Sequence, residues 1–218
     1  MTKSQDALRR LREGNERFAS GKGNADAFLR CVRRASTVSS QEPFAIVIGC
    51  SDSRVPVEIV FDQDLGDLFV IRVAGNIVSP SQLGSVEYAA AEFGSAVVMV
   101  LGHTGCGAVL GTLERLRRPA AARSPHMRFI AERIEPAVAP LLTAQREQDR
   151  GALIQAAVRA NVCQSVEQLR HGSEILEGLI ASGQLLVMGG VYDLGTGRIE
   201  LLEEAEVELP GSIKGGLA

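Results

Sequence analysis

The segment Ala96-Val-Val-Met-Val-Leu-Gly-His-Thr-Gly-Cys-Gly107 is an apolar run that leads into a histidine and a cysteine. A short apolar run bounded by glycine is typical of a buried strand. An earlier run, Phe44-Ala-Ile-Val-Ile-Gly49, has the same form and stops at Cys50. Parallel strands end on one edge of a sheet, where ligands bind. We therefore expect Cys50, His103 and Cys106 to lie close together.

The rest of the pattern predicts one α/β domain over residues 1–218, with a mainly parallel central sheet flanked by helices. The predicted domain also has an antiparallel edge strand and an N-terminal helical arm at about residues 4–35. The arm is predicted from the roughly helical spacing of Leu8, Leu11 and Phe18. The further predicted elements are strands at 67–74 and 185–189, a hairpin over 190–202, and helices at 85–93, 107–118, 151–170 and 173–182.

Composition narrows the class of protein. A chain of 218 residues with 45% hydrophobic content is long enough for one sizeable core. A formal charge of -3 offers no basic surface for nucleic acid. No apolar run suggests a secretion signal or a membrane span, so we expect a cytoplasmic protein with no membrane partner. Among the 4 cysteines, Cys31 and Cys163 are expected to be plain reduced thiols.

Two thiolates and one imidazole would leave a tetrahedral zinc ion one vacant position, as in catalytic sites. Each feature alone has an ordinary explanation, because a buried cysteine is often a small apolar residue and glycines often mark a tight turn. Together, Cys50, His103 and Cys106 predict zinc. The glycines do not form a phosphate-binding loop, since no downstream acid or Gly-Lys pair accompanies them.

Asp52 and Arg54 follow Cys50 with one residue between them, so both side chains can turn toward the metal. A bidentate ion pair between them is easily formed. This ion pair could simply stabilise the loop. It could also hold the carboxylate of Asp52 beside an open zinc position, where the carboxylate would accept a proton. Asp52 could also occupy that position itself.

Several motifs resemble the β-class carbonic anhydrases, and the similarity extends through most of the chain. The motifs are Cys50-Ser-Asp-Ser-Arg-Val-Pro56, Gly66-Asp-Leu-Phe-Val-Ile-Arg72, Gly102-His-Thr-Gly-Cys-Gly107, Glu13-Gly-Asn-Glu-Arg-Phe18 and Val187-Met-Gly-Gly-Val-Tyr-Asp193. The resemblance implies that Zn²⁺ is bound by Cys50, His103 and Cys106, and that Asp52 and Arg54 form the catalytic dyad.

The resemblance also implies a substrate pocket that includes Gln41, Phe69 and Tyr88. In this family the two aromatic residues reach the active site of a partner subunit, which implies a homodimer or a dimer of dimers. From composition alone, Gln41 would be an ordinary solvated loop residue and the two aromatic residues would belong to the core.

The implied activity is that of a zinc lyase, carbonic anhydrase or carbonate dehydratase, in which zinc-bound hydroxide converts carbon dioxide reversibly to bicarbonate and a proton. A related hydrolase acting on carbon disulfide or carbonyl sulfide could share the same zinc ligands. A non-catalytic zinc-stabilised scaffold is a further alternative, for which Asp52, Arg54 and Gln41 would be superfluous.

One departure from the family concerns an inhibitory bicarbonate pocket that some members build from a tryptophan, an arginine and a tyrosine. Here the three places hold Val47, Arg72 and Gly189, and the chain has no tryptophan. We therefore expect Arg72 to have a structural role, bonded to backbone or to an interface carboxylate.

We predict an activity profile shifted toward alkaline pH. Two thiolates neutralise the formal charge of Zn²⁺, so the metal should be a weaker acid than one held by three neutral imidazoles. Turnover measured from pH 6 to 9 should rise across the range. A plateau already complete at pH 6.5 would contradict this expectation.

Overall fold

A five-stranded sheet forms the centre of this computed structural model, which describes residues 2–23, 41–118, 124–144 and 150–202. Its strands are β1 (Ala45–Gly49), β2 (Leu68–Arg72), β3 (Val97–His103), β4 (Leu186–Tyr192) and β5 (Ile199–Leu201). The strand order is β2-β1-β3-β4-β5. The first four strands are parallel, and β5 pairs antiparallel with β4 at the edge. The predicted sheet is confirmed.

The helices cover both faces of this sheet, and every residue of β1 and β3 is buried. Strands with both faces covered need apolar residues at every position, which explains the unbroken apolar runs. The helices are α1 (Lys3–Ala19), α2 (Val57–Val60), α3 (Pro80–Phe93), α4 (Gly107–Arg117), α5 (Pro125–Ala144), α6 (Arg150–His171) and α7 (Glu174–Ala181). No helix in these ranges is long and apolar enough to cross a membrane.

Local sequence signals explain where several helices begin and end. Thr2 and Gln5 form a reciprocal capping box at the start of α1. Pro80 occupies the first turn of α3, where its missing N–H costs no helical hydrogen bond. Gly94 ends the same helix with φ 63°, a left-handed conformation that glycine adopts without strain.

The structure extends or corrects some of the predicted elements. β3 continues to His103, α3 begins at Pro80 rather than at residue 85, and β4 runs through residue 192 as one strand. The predicted arm is confirmed as α1 to Ala19, whereas residues 24–35 of that prediction lie outside the described residues. The hairpin that supplies the antiparallel edge is confirmed.

The proline-punctuated middle of the chain gave no predicted element, yet it contains the 20-residue helix α5. Pro136 and Pro140 lie inside that helix, although an internal proline removes a helical hydrogen bond. Ile134 and Val138 are fully buried one turn apart. Tertiary packing of this apolar stripe therefore outweighs the local cost of the prolines.

Asn15 fastens α1 to the rest of the fold. Its amide nitrogen donates to the carbonyls of Val60 at 3.1 Å and Gly197 at 2.9 Å. Its carbonyl oxygen accepts from the backbone N–H of Ile199 at 2.8 Å. One buried side chain thus satisfies backbone groups at the end of α2 and in the hairpin formed by β4 and β5.

We predict that Asn15→Ala lowers the free energy of unfolding by about 2–3 kcal/mol, because three backbone groups lose their partner. Urea unfolding at fixed protein concentration measures the change. Arg9→Ala is the matched control on the exposed side of α1, where Arg9 forms ion pairs with Asp6 and Glu13 of the same helix. It should leave the unfolding midpoint unchanged. Equal effects of the two substitutions would contradict the role assigned to Asn15.

Candidate metal centre

Three potential metal ligands converge at the carboxyl edge of the sheet. Cys50 directly follows β1, His103 is the last residue of β3, and Cys106 is the N-cap of α4. Their ligand atoms all lie within 4.8 Å of one another. All three side chains are buried, at 5%, 0% and 1% exposure. The predicted convergence of these residues is confirmed.

His103 has one ring nitrogen committed and one without a partner. Nδ1 lies 3.0 Å from the carbonyl oxygen of Thr104, so that nitrogen carries the proton and donates it. Nε2 is buried and has no hydrogen-bond partner among the residues that the structure describes. A buried polar atom without a partner is costly, and its lone pair is suited to a metal. The imidazole orientation therefore fits a bound zinc ion.

The two sulfurs are surrounded by hydrogen-bond donors. A hydrogen bond between Cys106 and Cys50 lowers the pKa of Cys50 and, together with burial, raises the pKa of Cys106. The backbone N–H of Gly75 donates to Cys50 Sγ at 3.4 Å. N–H groups of Ala108 and Val109, in the first turn of α4, favour the thiolate of Cys106. The shared hydrogen bond therefore leaves Cys50 as the thiolate and Cys106 as the protonated thiol, and a bound soft cation would be needed to release the second proton.

Asp52 and Arg54 form the bidentate pair that the sequence predicts. Arg54 Nε donates to Asp52 Oδ1 at 2.9 Å, and Nη2 donates to Oδ2 at 2.8 Å. The backbone N–H of Arg54 also donates to Oδ1, at 3.0 Å. These bonds hold the pKa of Asp52 well below its usual range. Oδ2 is also 3.8 Å from His103 Nε2, so this oxygen faces the metal ligands.

Arg72 braces the loop that carries both Cys50 and Asp52. Its Nε donates to the carbonyl of Cys50 at 3.1 Å, and its Nη2 donates to the carbonyl of Asp52 at 2.7 Å. The predicted structural role of Arg72 is confirmed, with backbone as the partner. At Gly189, an added Cβ would lie 2.7 Å from Val162 Cγ1, so little room exists there for a larger side chain.

The predicted substrate residues lie in three different settings. Gln41 is exposed on the segment before β1. Phe69 on β2 is partly buried, whereas Tyr88 on α3 is 54% exposed. The two rings contact each other with centroids 6.3 Å apart, and Phe93 packs edge-on against Tyr88 at 5.6 Å. The exposure of Tyr88 argues against the core position that composition alone would give it, whereas its place in a substrate pocket stays a prediction.

Of the two cysteines predicted to be plain thiols, only Cys163 is among the described residues. It is buried on α6 and does not belong to the cluster of Cys50, His103 and Cys106. Cys31 lies outside the described residues. The contribution of Gly75 to the site was missed, although an Ala-Gly-Asn sequence directly after an apolar strand signals a tight turn.

Comparison with known proteins gives a consistent family. A family model described as carbonic anhydrase matches residues 45–199. The carbonic anhydrase of Mycolicibacterium smegmatis is 38% identical over 195 residues, covering 89% of this chain and 91% of that protein.

Two solved structures are also similar. A tetrameric β-carbonic anhydrase from Sordaria macrospora is 27% identical with a TM-score of 0.65, covering 87% of this chain and 93% of that one. The Coccomyxa β-carbonic anhydrase, solved with acetazolamide, is 26% identical with a TM-score of 0.68, covering 87% and 83%.

We predict that Cys50→Ala and Cys106→Ala abolish stoichiometric zinc binding, because each removes one of three protein ligands. Zinc content of the purified proteins, measured by atomic emission, checks this. Cys163→Ala is the matched control, since it removes a buried thiol outside the site and should retain about one zinc per chain. Full zinc occupancy in Cys50→Ala would contradict the ligand assignment.

Proposed function

The chain belongs to the β-class carbonic anhydrases, and we propose which residues carry out the hydration of carbon dioxide to bicarbonate and a proton. The reaction is reversible, and the chain is a zinc enzyme. The observation that supports the proposal most strongly is the buried cluster of Cys50, His103 and Cys106 beside a carboxylate held by Arg54.

Cys50, His103 and Cys106 would hold the zinc ion through two sulfurs and one ring nitrogen. The observation that fits this set of ligands is the buried Nε2 of His103, which has no hydrogen-bond partner in the described part of the chain. Bound zinc supplies a Lewis acid that lowers the pKa of water toward neutrality. The protein's own task is to fix these ligands and to orient the attacking oxygen.

We assign that orienting role to Asp52. Its Oδ1 accepts two hydrogen bonds from Arg54, whereas Oδ2 accepts one and faces His103. A carboxylate oxygen has two lone pairs, so Oδ2 retains one that can accept the proton of the attacking oxygen. Because the pKa of Asp52 is lowered by its hydrogen bonds to Arg54, the carboxylate stays ionised at neutral pH.

Arg54 also bears on whether Asp52 occupies the fourth metal position. Two guanidinium nitrogens and one backbone N–H hold the carboxylate beside the ligands. Direct ligation by Asp52 would compete with this bidentate pair. We therefore propose the arrangement in which Asp52 stays paired with Arg54 and the fourth position is open to substrate chemistry.

For the substrate, we propose a pocket formed by Gln41 together with Phe69 and Tyr88 of a partner subunit. An exposed tyrosine packed on two other aromatic rings provides an apolar surface that a second copy can use. The tetrameric state of the Sordaria relative supports a dimer or a dimer of dimers. We propose a cytoplasmic location, because a reducing compartment preserves the thiols of Cys50 and Cys106 on which metal binding depends.

We propose a single domain over residues 1–218, with α1 as its N-terminal arm.

A hydrolase acting on carbon disulfide could use the same three zinc ligands. Assaying carbon disulfide and carbon dioxide on the same protein distinguishes the two activities, and we expect turnover with carbon dioxide.

We predict that Asp52→Asn lowers kcat/KM for carbon dioxide by about a hundredfold or more while zinc remains bound. The amide has the shape of the carboxylate, but it can neither accept both guanidinium bonds nor remain anionic. Stopped-flow hydration with parallel zinc analysis measures both effects. Asp6→Asn, which alters an exposed ion pair with Arg9 on α1, is the control and should match the wild type. Wild-type turnover in zinc-loaded Asp52→Asn would remove Asp52 from catalysis.

A further inference from the structure

The turn that reaches Cys50 has an unusual backbone. Residues Ala74–Asn76 form one turn of 3-10 helix directly after β2, with Gly75 at φ 72° and Asn76 at φ 44°. Glycine adopts such values freely, and asparagine enters this region more readily than other non-glycine residues, although its conformation still depends on contacts that hold it there. Asn76 is 1% exposed, so the protein interior must supply that support.

The support comes from α6, which packs behind the turn. Asn161 Nδ2 donates to the carbonyl of Gly75 at 2.8 Å, and Ser165 Oγ donates to the carbonyl of Asn76 at 3.1 Å. The two side chains are 1% and 2% exposed. They stand four residues apart, on the same face of the helix. Two successive carbonyls of the strained turn are therefore fixed by one helix.

The helix itself cannot shift easily relative to the strand that carries His103. A Cβ placed on Gly102 would lie 2.5 Å from Val162 Cγ2, and one on Gly189 would lie 2.7 Å from Val162 Cγ1. β3 and β4 therefore approach α6 more closely than side chains would allow. Asn161, the residue before Val162, is held in register with the metal ligands.

We propose that Asn161 is a positioning residue for the zinc site, acting through Gly75 on Cys50. By holding the Gly75 carbonyl, it fixes the backbone of the turn so that the Gly75 N–H stays aimed at Cys50 Sγ, 3.4 Å away. Ser165 fixes the next carbonyl and assists. The inference rests on the proposed function, in which Cys50 binds zinc.

An N–H donated to a ligating thiolate changes the metal site in two ways. It stabilises the buried negative charge and withdraws electron density from the sulfur. It also limits the motion of Cys50, whose backbone carbonyl is held on the other side by Arg72. Loss of such support from behind a ligand weakens metal binding by about ten- to a hundredfold in other metal sites.

If Asn161 only stabilised the fold, replacing it would affect metal binding no more than replacing another buried amide side chain of α6. The same helix provides a matched control, because Gln164 Nε2 donates to the carbonyl of Arg133 at 2.6 Å. Gln164 is 9% exposed, and its partner lies on α5 rather than on the turn beside Cys50. Replacing Asn161 or Gln164 by leucine removes one hydrogen bond from a side-chain amide of α6 to a backbone carbonyl. Only the bond from Asn161 ends on the turn whose N–H contacts the ligand Cys50.

The test compares Asn161→Leu, Ser165→Ala and Gln164→Leu in the full chain with Co²⁺ in place of zinc. Cobalt reports the ligand sulfurs through its thiolate-to-metal charge-transfer absorption, and competition with a chelator gives the Kd. We expect Asn161→Leu to raise the Kd by about tenfold or more and to shift the absorption band. Ser165→Ala should change both in the same direction by less, and Gln164→Leu should stay within about twofold of the wild type.

An unchanged Kd and band in Asn161→Leu, or equal changes in Asn161→Leu and Gln164→Leu, would overturn the proposal. If Asn161→Leu does not fold, Ser165→Ala decides, and a wild-type spectrum in that variant overturns it. A wild-type chain that binds no cobalt or zinc would overturn the zinc assignment and this inference together. Normal metal binding with no carbon dioxide hydration would instead count against the proposed function alone.

Discussion

The parallel pairing of β1 with β3 is the constraint on which the site depends. In the register of this pair, Gly49 lies opposite Leu101. Cys50 therefore leaves the sheet one residue after the pair, and His103 follows two residues after Leu101. Both strands are buried throughout, so their apolar side chains favour this pairing. Hydrophobic burial thus determines where two of the three metal ligands meet.

Elements outside the strands complete the ligand set. Cys106 caps α4, and first-turn amides of that helix favour its thiolate. Arg72 holds the backbone of the loop after β1, while Arg54 holds the carboxylate of Asp52. Buried thiolates and an unpartnered imidazole nitrogen are unfavourable alone, and a bound cation removes that cost. Folding and metal binding are therefore expected to stabilise each other.

Local pattern predicted the strands, most helices, the three ligands and the bidentate dyad, because each leaves a short-range signal in the sequence. α5 was missed because Pro136 and Pro140 oppose a helix locally, whereas Ile134 and Val138 stabilise it through distant contacts. Composition alone favours a core position for Tyr88, yet this ring is 54% exposed, because exposure depends on tertiary packing that composition does not record. The bond from Asn161 to Gly75 joins residues 86 positions apart, and no local pattern predicts such a contact.

Stopped-flow hydration of carbon dioxide at pH 8.5, with purified protein of known zinc content, tests directly whether the site is catalytic. Zinc-loaded protein should hydrate carbon dioxide well above the uncatalysed rate, lose activity on chelation, and regain it when zinc is restored. Fully zinc-loaded protein with no hydration at that pH would contradict the account.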